Sequence, residues 1–355
     1  MRVVIPNVFV GFPPERAAER ERRASGDLTG SALLTPLGIS RMTEEELNAL
    51  TSLWREADVY FRSQASRPLF TLGDPELWLA VSVDVTGVME RLERWDDPSF
   101  EAHPRARLGA VLDLEFSKPG TDDPAGMGGT LPERFFDQFW LAMNLAFPGS
   151  LDLSDAFCED DADNEYLPKL RALRRDGFAP TGLRNEWPPV SRLPFDVTWE
   201  WLHADMIYDL EVADTPSQIG LVTLLQIARR DWLDPANILS ISAGLEALLD
   251  AGRANIGATL RTRLEEILGA SSHLKPWCTR FYDLRSRVVH GDYPHIRPAA
   301  AVSFWSGVDP RRLRVERDFP SACDDGLRVQ LALLQDLIRH KSRRYVFSSP
   351  HFVRE

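Results

Sequence analysis

The chain has 355 residues, 44% hydrophobic and 26% charged, a composition that supports a sizeable core and excludes a disordered polymer. Its formal net charge of −12 disfavours indiscriminate binding to nucleic acid, which Lys and Arg drive by neutralising phosphates. Lys and Arg nevertheless outnumber Asp and Glu from Ala236 to Glu355, so a polyanion should meet that part of the chain.

Residues 1–150 read as a mixed α/β module. Val3 to Val10 and Leu77 to Val85 have strand character, and Leu108, Ala110, Leu112, Leu114 and Phe116 alternate with the residues between them as a half-buried strand does. Thr43 and Glu46 form a capping-box pattern ahead of Leu47, Leu50, Trp54, Ala57 and Phe61 on one helix face. A second helix opens at Pro132 and carries Phe135, Phe139, Ala142 and Ala146.

Residues 151–200 hold an acidic patch, from Asp155 to Glu165, and then five prolines, and read as a surface connector. Residues 201–345 read as all-α. Helices are expected after Thr215-Pro216 and after Asp234-Pro235, then over Leu260 to Leu268, from Pro276 to His290, and from Ser321 to Lys341. Residues 346–355 read as a C-terminal tail. The fold class is therefore α+β, a mixed N-terminal module followed by a helical bundle.

The helix from Pro276 to His290 carries the chemistry. At about 100° per residue, Trp277, Phe281, Leu284 and Val288 fall within about 60° of one another and form a buried face. A second stripe consists of Cys278, Tyr282 and Val289, flanked by Arg285 and His290. A second apolar stripe with polar flanks suggests that the helix packs on a partner chain as well as on its own bundle. His290 precedes Gly291 at a helix C-terminus, where the macrodipole favours a cation. Imidazole is suited to general acid/base work near neutrality, and Arg285 offers a planar fork of donors for a phosphate. The two suffice to cleave RNA through its own 2′-hydroxyl without metal or cofactor.

The string Phe281-Tyr282-Asp283-Leu284-Arg285-Ser286-Arg287-Val288-Val289-His290-Gly291 resembles the LR-S-x-x-V-H-G segment of HEPN domains, in particular the Apea-like HEPN group. Ile241 to Leu249 is similar to that family's ALEALL helix, and Leu260 to Leu264 to the R-x-x-x-L helix that follows it. The likeness covers residues 205–345. It departs at Gly244, which sits in a helix interior at a cost of about 1 kcal/mol, and at Ser286, where many active members carry another polar residue. The resemblance implies a homodimer that joins two R-x4-6-H motifs, here Arg285 and His290, in one cleft. It also implies RNA cleavage to cyclic phosphate and 5′-hydroxyl ends, and service as a toxin or antiviral-defence effector. Tyr282, Asp283, Ser286 and Arg287 are supporting candidates, Arg287 as a second phosphate contact. A regulatory protein or phage-derived trigger would act on the N-terminal module. Two other readings stand beside this one: a catalytically silent dimerisation or regulatory scaffold, and a partner of a nucleotidyltransferase that modifies Tyr282 or Tyr293.

Other features have plainer readings. The acidic patch lacks EF-hand spacing and reads as a solvated loop, and Asp122 to Thr130 is a Gly-rich turn. His203 with Asp205, and His273, read as surface or packing residues. The basic run Arg339, His340, Lys341, Arg343 and Arg344 reads as a solvated helix end. Cys158, Cys278 and Cys323 form no zinc pattern and cannot all pair, which with no membrane segment leads us to expect a cytoplasmic protein.

Overall fold

The computed structural model describes residues 2–11, 44–64, 78–91, 104–117, 130–154, 156–158, 167–171, 173, 187–204, 212–230, 234–252, 255–293, 310–348 and 351–354. The chain divides into two compact units, Met1–Ala179 with Arg192–Glu200, and Pro180–Ser191 with Trp201–Glu355. It is α+β, as its sequence suggests.

The first unit contains β1 (Arg2–Gly11), α1 (Glu44–Gln64), β2 (Trp78–Arg91), β3 (Pro104–Ser117), α2 (Thr130–Ala146) and β4 (Phe157–Cys158). Its four strands pair antiparallel in the order β2-β3-β1-β4. Register between β2 and β3 is continuous from Trp78 opposite Ser117 to Arg91 opposite Pro104. Between β1 and β3 it shifts between Ile5 and Phe9. Pro6 lies in that span and has no N–H to give to the ladder, which accounts for the irregularity. Leu112 and Leu114 are buried on the sheet, as period-two alternation requires.

The core of this unit is aromatic. Leu50, Trp54, Ala57 and Phe61 of α1, and Phe135, Phe139, Ala142 and Ala146 of α2, are all buried at helical spacing. Phe61 meets Trp199 edge-on at 5.0 Å, and Trp54 meets Phe139 edge-on at 5.7 Å. The expected connector therefore needs correction. Leu151, Leu153, Ala156, Leu167, Leu170 and Leu173 are buried, and Leu153 N donates to Leu170 O at 2.7 Å. Phe195 and Trp199, on α3 (Phe195–Ala204), complete the aromatic core. Leucines placed between the acids and prolines turn inward because apolar burial outweighs the polar composition around them. Most of the acidic patch lies outside the described residues, but its Phe157–Cys158 pairs with β1.

The second unit contains the end of α3, α4 (Pro216–Ala228), α5 (Ala236–Leu248), α6 (Ile256–Leu268), α7 (Leu274–Val289), α8 (Pro310–Arg339), β5 (Tyr345–Ser348) and β6 (His351–Arg354). Thr215 caps α4 in a reciprocal capping box with Gln218. Glycines let the helices approach closely. A Cβ on Gly244 would stand 2.6 Å from both Thr223 Oγ1 and Gln330 Nε2, and one on Gly326 would stand 2.7 Å from Phe281 and 2.8 Å from Ile241. The interior glycine of α5 is thus required by packing: Gln330 is buried there and donates to Gly220 O and Thr223 Oγ1, each at 2.8 Å.

Two expectations fail in this unit. α8 begins at Pro310 rather than Ser321, and the helix continues through Pro320. The remaining bonds of a 30-residue helix offset the one that proline removes. The end of the chain is a two-stranded hairpin, β5 against β6, rather than a tail. It is held by Asp336, buried on α8, which accepts from Arg354 Nε at 2.7 Å and Nη2 at 3.1 Å and lies 2.9 Å from the Tyr345 hydroxyl. The basic run is likewise engaged. Arg343 donates to Trp201 O at 2.6 Å, and His340 Nδ1 lies 2.7 Å from Asp336 O.

Candidate functional site

α7 carries Arg285 of the R-x4-H pair, and His290 is its C-cap residue. Its first face is buried as expected: Trp277, Phe281 and Leu284 are in the core, and Val288 is half-buried. Its C-terminus closes in a Schellman motif. Gly291 adopts φ +75°, its N–H donates to Val288 O at 3.3 Å, and Asp292 N donates to Arg287 O at 2.8 Å. Only a residue at ease with positive φ fits the position after His290, so Gly291 sets how His290 leaves the helix. His290 itself is exposed.

The second stripe is covered differently from the expectation. Cys278 is buried, and burial pushes its thiol up to about 12, with Arg261 of α6 opposing and Glu265 of α6 adding to the rise. A Cβ on Gly257 of α6 would meet the Tyr282 ring at 4.0 Å. The chain's own α6 therefore covers two of the three stripe residues, and Val289 alone is exposed, at 48%. A stripe on a helix wheel shows that something covers it, and here its own bundle supplies most of that cover.

Arg285 is half-buried, and its Nε is fully enclosed with no hydrogen-bond partner. Among the described residues it makes no ion pair. Tyr282, one turn earlier, has a buried hydroxyl that also makes no hydrogen bond of normal geometry. Burial raises the Tyr282 phenol above its ordinary range and Glu246 adds to the rise, while the nearby Ser242 hydroxyl and Arg285 oppose it. Ser242 Oγ donates to Glu246 Oε1 at 2.6 Å. The polar interior beside Arg285 thus comes from α5, whose Ser242 and Glu246 sequence reasoning left without a role. Their i,i+4 spacing was the available signal.

The supporting candidates divide. Asp283 is exposed, Ser286 is half-buried with its carbonyl accepting from His290 N at 3.0 Å, and the Arg287 guanidinium lies 5.3 Å from the Tyr293 ring centre. The hydroxyls of Tyr282 and Tyr293 are both buried, so a modifying enzyme would reach neither without local opening. Within one chain Arg285 and His290 stand about 7.5 Å apart along the axis and about 140° apart around it. Among the described residues no group of three or more His, Cys, Asp or Glu could hold a metal, and no described helix is long and apolar enough to cross a membrane. No protein-family model, curated protein or solved structure matches the chain.

Proposed function

We propose that this protein is a HEPN-type, metal-independent endoribonuclease that acts as a homodimer in the cytoplasm. The observation that carries the reading is Arg285, a half-buried cation with no carboxylate partner among the described residues, one helix turn and a half from an exposed His290. An enclosed guanidinium N–H without an acceptor among the described residues is costly, and an anion bound at the same guanidinium would offset part of that cost. An RNA phosphodiester fits the planar fork.

In the reaction, Arg285 binds the scissile phosphate while the 2′-hydroxyl attacks phosphorus and the bond to the 5′-oxygen breaks. His290 of one protomer takes the 2′-hydroxyl proton, and its counterpart gives a proton to the departing 5′-oxygen. The products are a 2′,3′-cyclic phosphate and a 5′-hydroxyl. The separation of Arg285 and His290 around α7 favours a cleft completed by a second copy. The first unit would sense a trigger, a regulatory protein or phage component, or hold the nuclease silent as part of a toxin or defence effector.

The test is purified protein with mixed RNA in EDTA: cleavage that persists in wild type and disappears in both His290→Ala and Arg285→Ala supports the reading. Intact RNA beside a folded dimer favours a silent scaffold. That second reading draws on Cys278 and Tyr282 being covered within the chain, which leaves α7 less apolar surface for a partner.

A further inference from the structure

Two enclosed polar atoms on neighbouring turns of α7 have no hydrogen-bond partner. Arg285 Nε carries a proton with no acceptor, and Tyr282 Oη, three residues earlier on the same helix face, has neither donor nor acceptor in normal geometry. Enclosed orphan groups are uncommon, and each needs a physical reason. α5 supplies one. Ile241 and Phe281 both crowd the same point at Gly326, which brings α5 against α7, and the Ser242 hydroxyl lies near enough to the Tyr282 hydroxyl to act on it as a hydrogen-bond partner. Ser242 is buried, and its proton is committed to Glu246 Oε1 at 2.6 Å. That leaves the Ser242 oxygen lone pairs as the acceptor for Tyr282.

We propose that Ser242 and Glu246 position Arg285 through the Tyr282 hydroxyl, in a relay that closes when a phosphodiester binds and that leaves the two Nη groups of Arg285 to hold it. The donors run one way: Arg285 Nε–H to Tyr282 Oη, Tyr282 O–H to Ser242 Oγ, and Ser242 O–H to the Glu246 carboxylate. Arg285 Nε gains an acceptor and Tyr282 Oη gains both a donor and an acceptor, and the chain ends on a charge able to polarise it. Tyr282, Ser242 and Glu246 touch neither substrate nor the reacting atoms, so they are positioning residues. The inference rests on the nuclease reading for its substrate, but the relay needs only a phosphate.

The relay predicts a particular kinetic split. Arg285 holds the phosphate in ground and transition states alike, so Tyr282→Phe and Ser242→Ala should raise KM for an oligoribonucleotide about ten-fold and leave kcat within about two-fold. Glu246→Gln keeps an acceptor but removes the charge and should raise KM by less than Tyr282→Phe does, while Glu246→Leu should match Tyr282→Phe. Melting curves confirm that each variant folds. A fall in kcat at unchanged KM, or wild-type KM in both Tyr282→Phe and Ser242→Ala, overturns the relay. A second arm is independent of cleavage: inorganic phosphate should raise the melting temperature of wild type and do so less in Tyr282→Phe, Ser242→Ala and Arg285→Ala. If wild type leaves RNA uncut but shows this graded phosphate response, the nuclease reading falls and the relay stands. No phosphate response in wild type, or an equal one in all variants, overturns the relay itself.

Discussion

The Trp187 indole sits 6.2 Å from that of Trp277, and its Nε1 donates to Gly269 O at 3.0 Å. A short non-helical segment thus straps the end of α6 and the start of α7, and Trp277 in turn stacks on Phe281 at 5.4 Å. The strap is fastened to α8 as well, since Ser191 N donates to Gln335 Oε1 at 3.1 Å and Arg339 Nη2 to Ser191 Oγ at 2.6 Å.

Trp187→Ala should lower stability by about 2 kcal/mol, below the cost for a fully buried indole because Trp187 is partly exposed. Chemical denaturation measures the loss, and hydrogen exchange should quicken first in the opening turns of α7. Unchanged exchange there would show that the strap does not secure the helix.

Gly244→Ala tests sign. Helix propensity alone predicts a gain of about 1 kcal/mol. The 2.6 Å approaches to Thr223 Oγ1 and Gln330 Nε2 predict instead a loss of about 1–3 kcal/mol, because the buried amide must move and forfeit its bonds. A variant as stable as wild type refutes the close packing of α4, α5 and α8.

Gly291→Ala should cost about 1 kcal/mol, since φ is +75° there. It should also reduce RNA cleavage by redirecting His290, while leaving phosphate binding through Arg285 in place. Equal losses of cleavage and phosphate binding contradict this division of roles.

Cys278 provides an alkaline signature. Its folded thiol is raised from 9.0 to about 12, so between those values the unfolded chain has released a proton that the native chain keeps, and stability falls as pH rises. The contribution is complete below pH 9.0. Tyr282, raised from 10.0 by burial, adds to the fall above that point. Cys278→Ala should flatten denaturation midpoints between pH 9 and 10, the window before Tyr282 joins, and parallel declines in the two proteins would count against it.

Asp336→Ala removes the acceptor of Arg354 and one of two acceptors near the Tyr345 hydroxyl, which keeps Leu333 O at 2.8 Å. The loss should be about 2–3 kcal/mol, with the hairpin becoming the first site of proteolytic cutting. Hairpin resistance equal to wild type would mean that aromatic contacts, such as Tyr345 with Phe352 at 6.0 Å, suffice.

Periodicity made most of the elements legible. The three long strands, the aromatic faces of α1 and α2, and the caps at Thr215 and Gly291 all follow from spacing and from residues with one conformational preference. What escaped had competing signals. The expected start of α8 at Ser321 missed the turns from Pro310 through Pro320, because a helix 30 residues long can absorb one proline. The hairpin hid in four-residue strands beside a basic run, its anchor Asp336 lying on another element. Leucines in the acidic stretch were masked by their neighbours. At the candidate site, Arg285 and His290 could be read from the sequence, but the cover over Cys278 and Tyr282, and the Ser242–Glu246 pair, arise from helices meeting in space.

The sheet order has a consequence for biosynthesis. β1 hydrogen-bonds to β3 and β4 and not to β2, and the aromatic cluster draws on Phe195 and Trp199. The amino-terminal strand must therefore wait on the ribosome until its neighbours emerge, and this unit can finish assembling only once about two hundred residues have been translated.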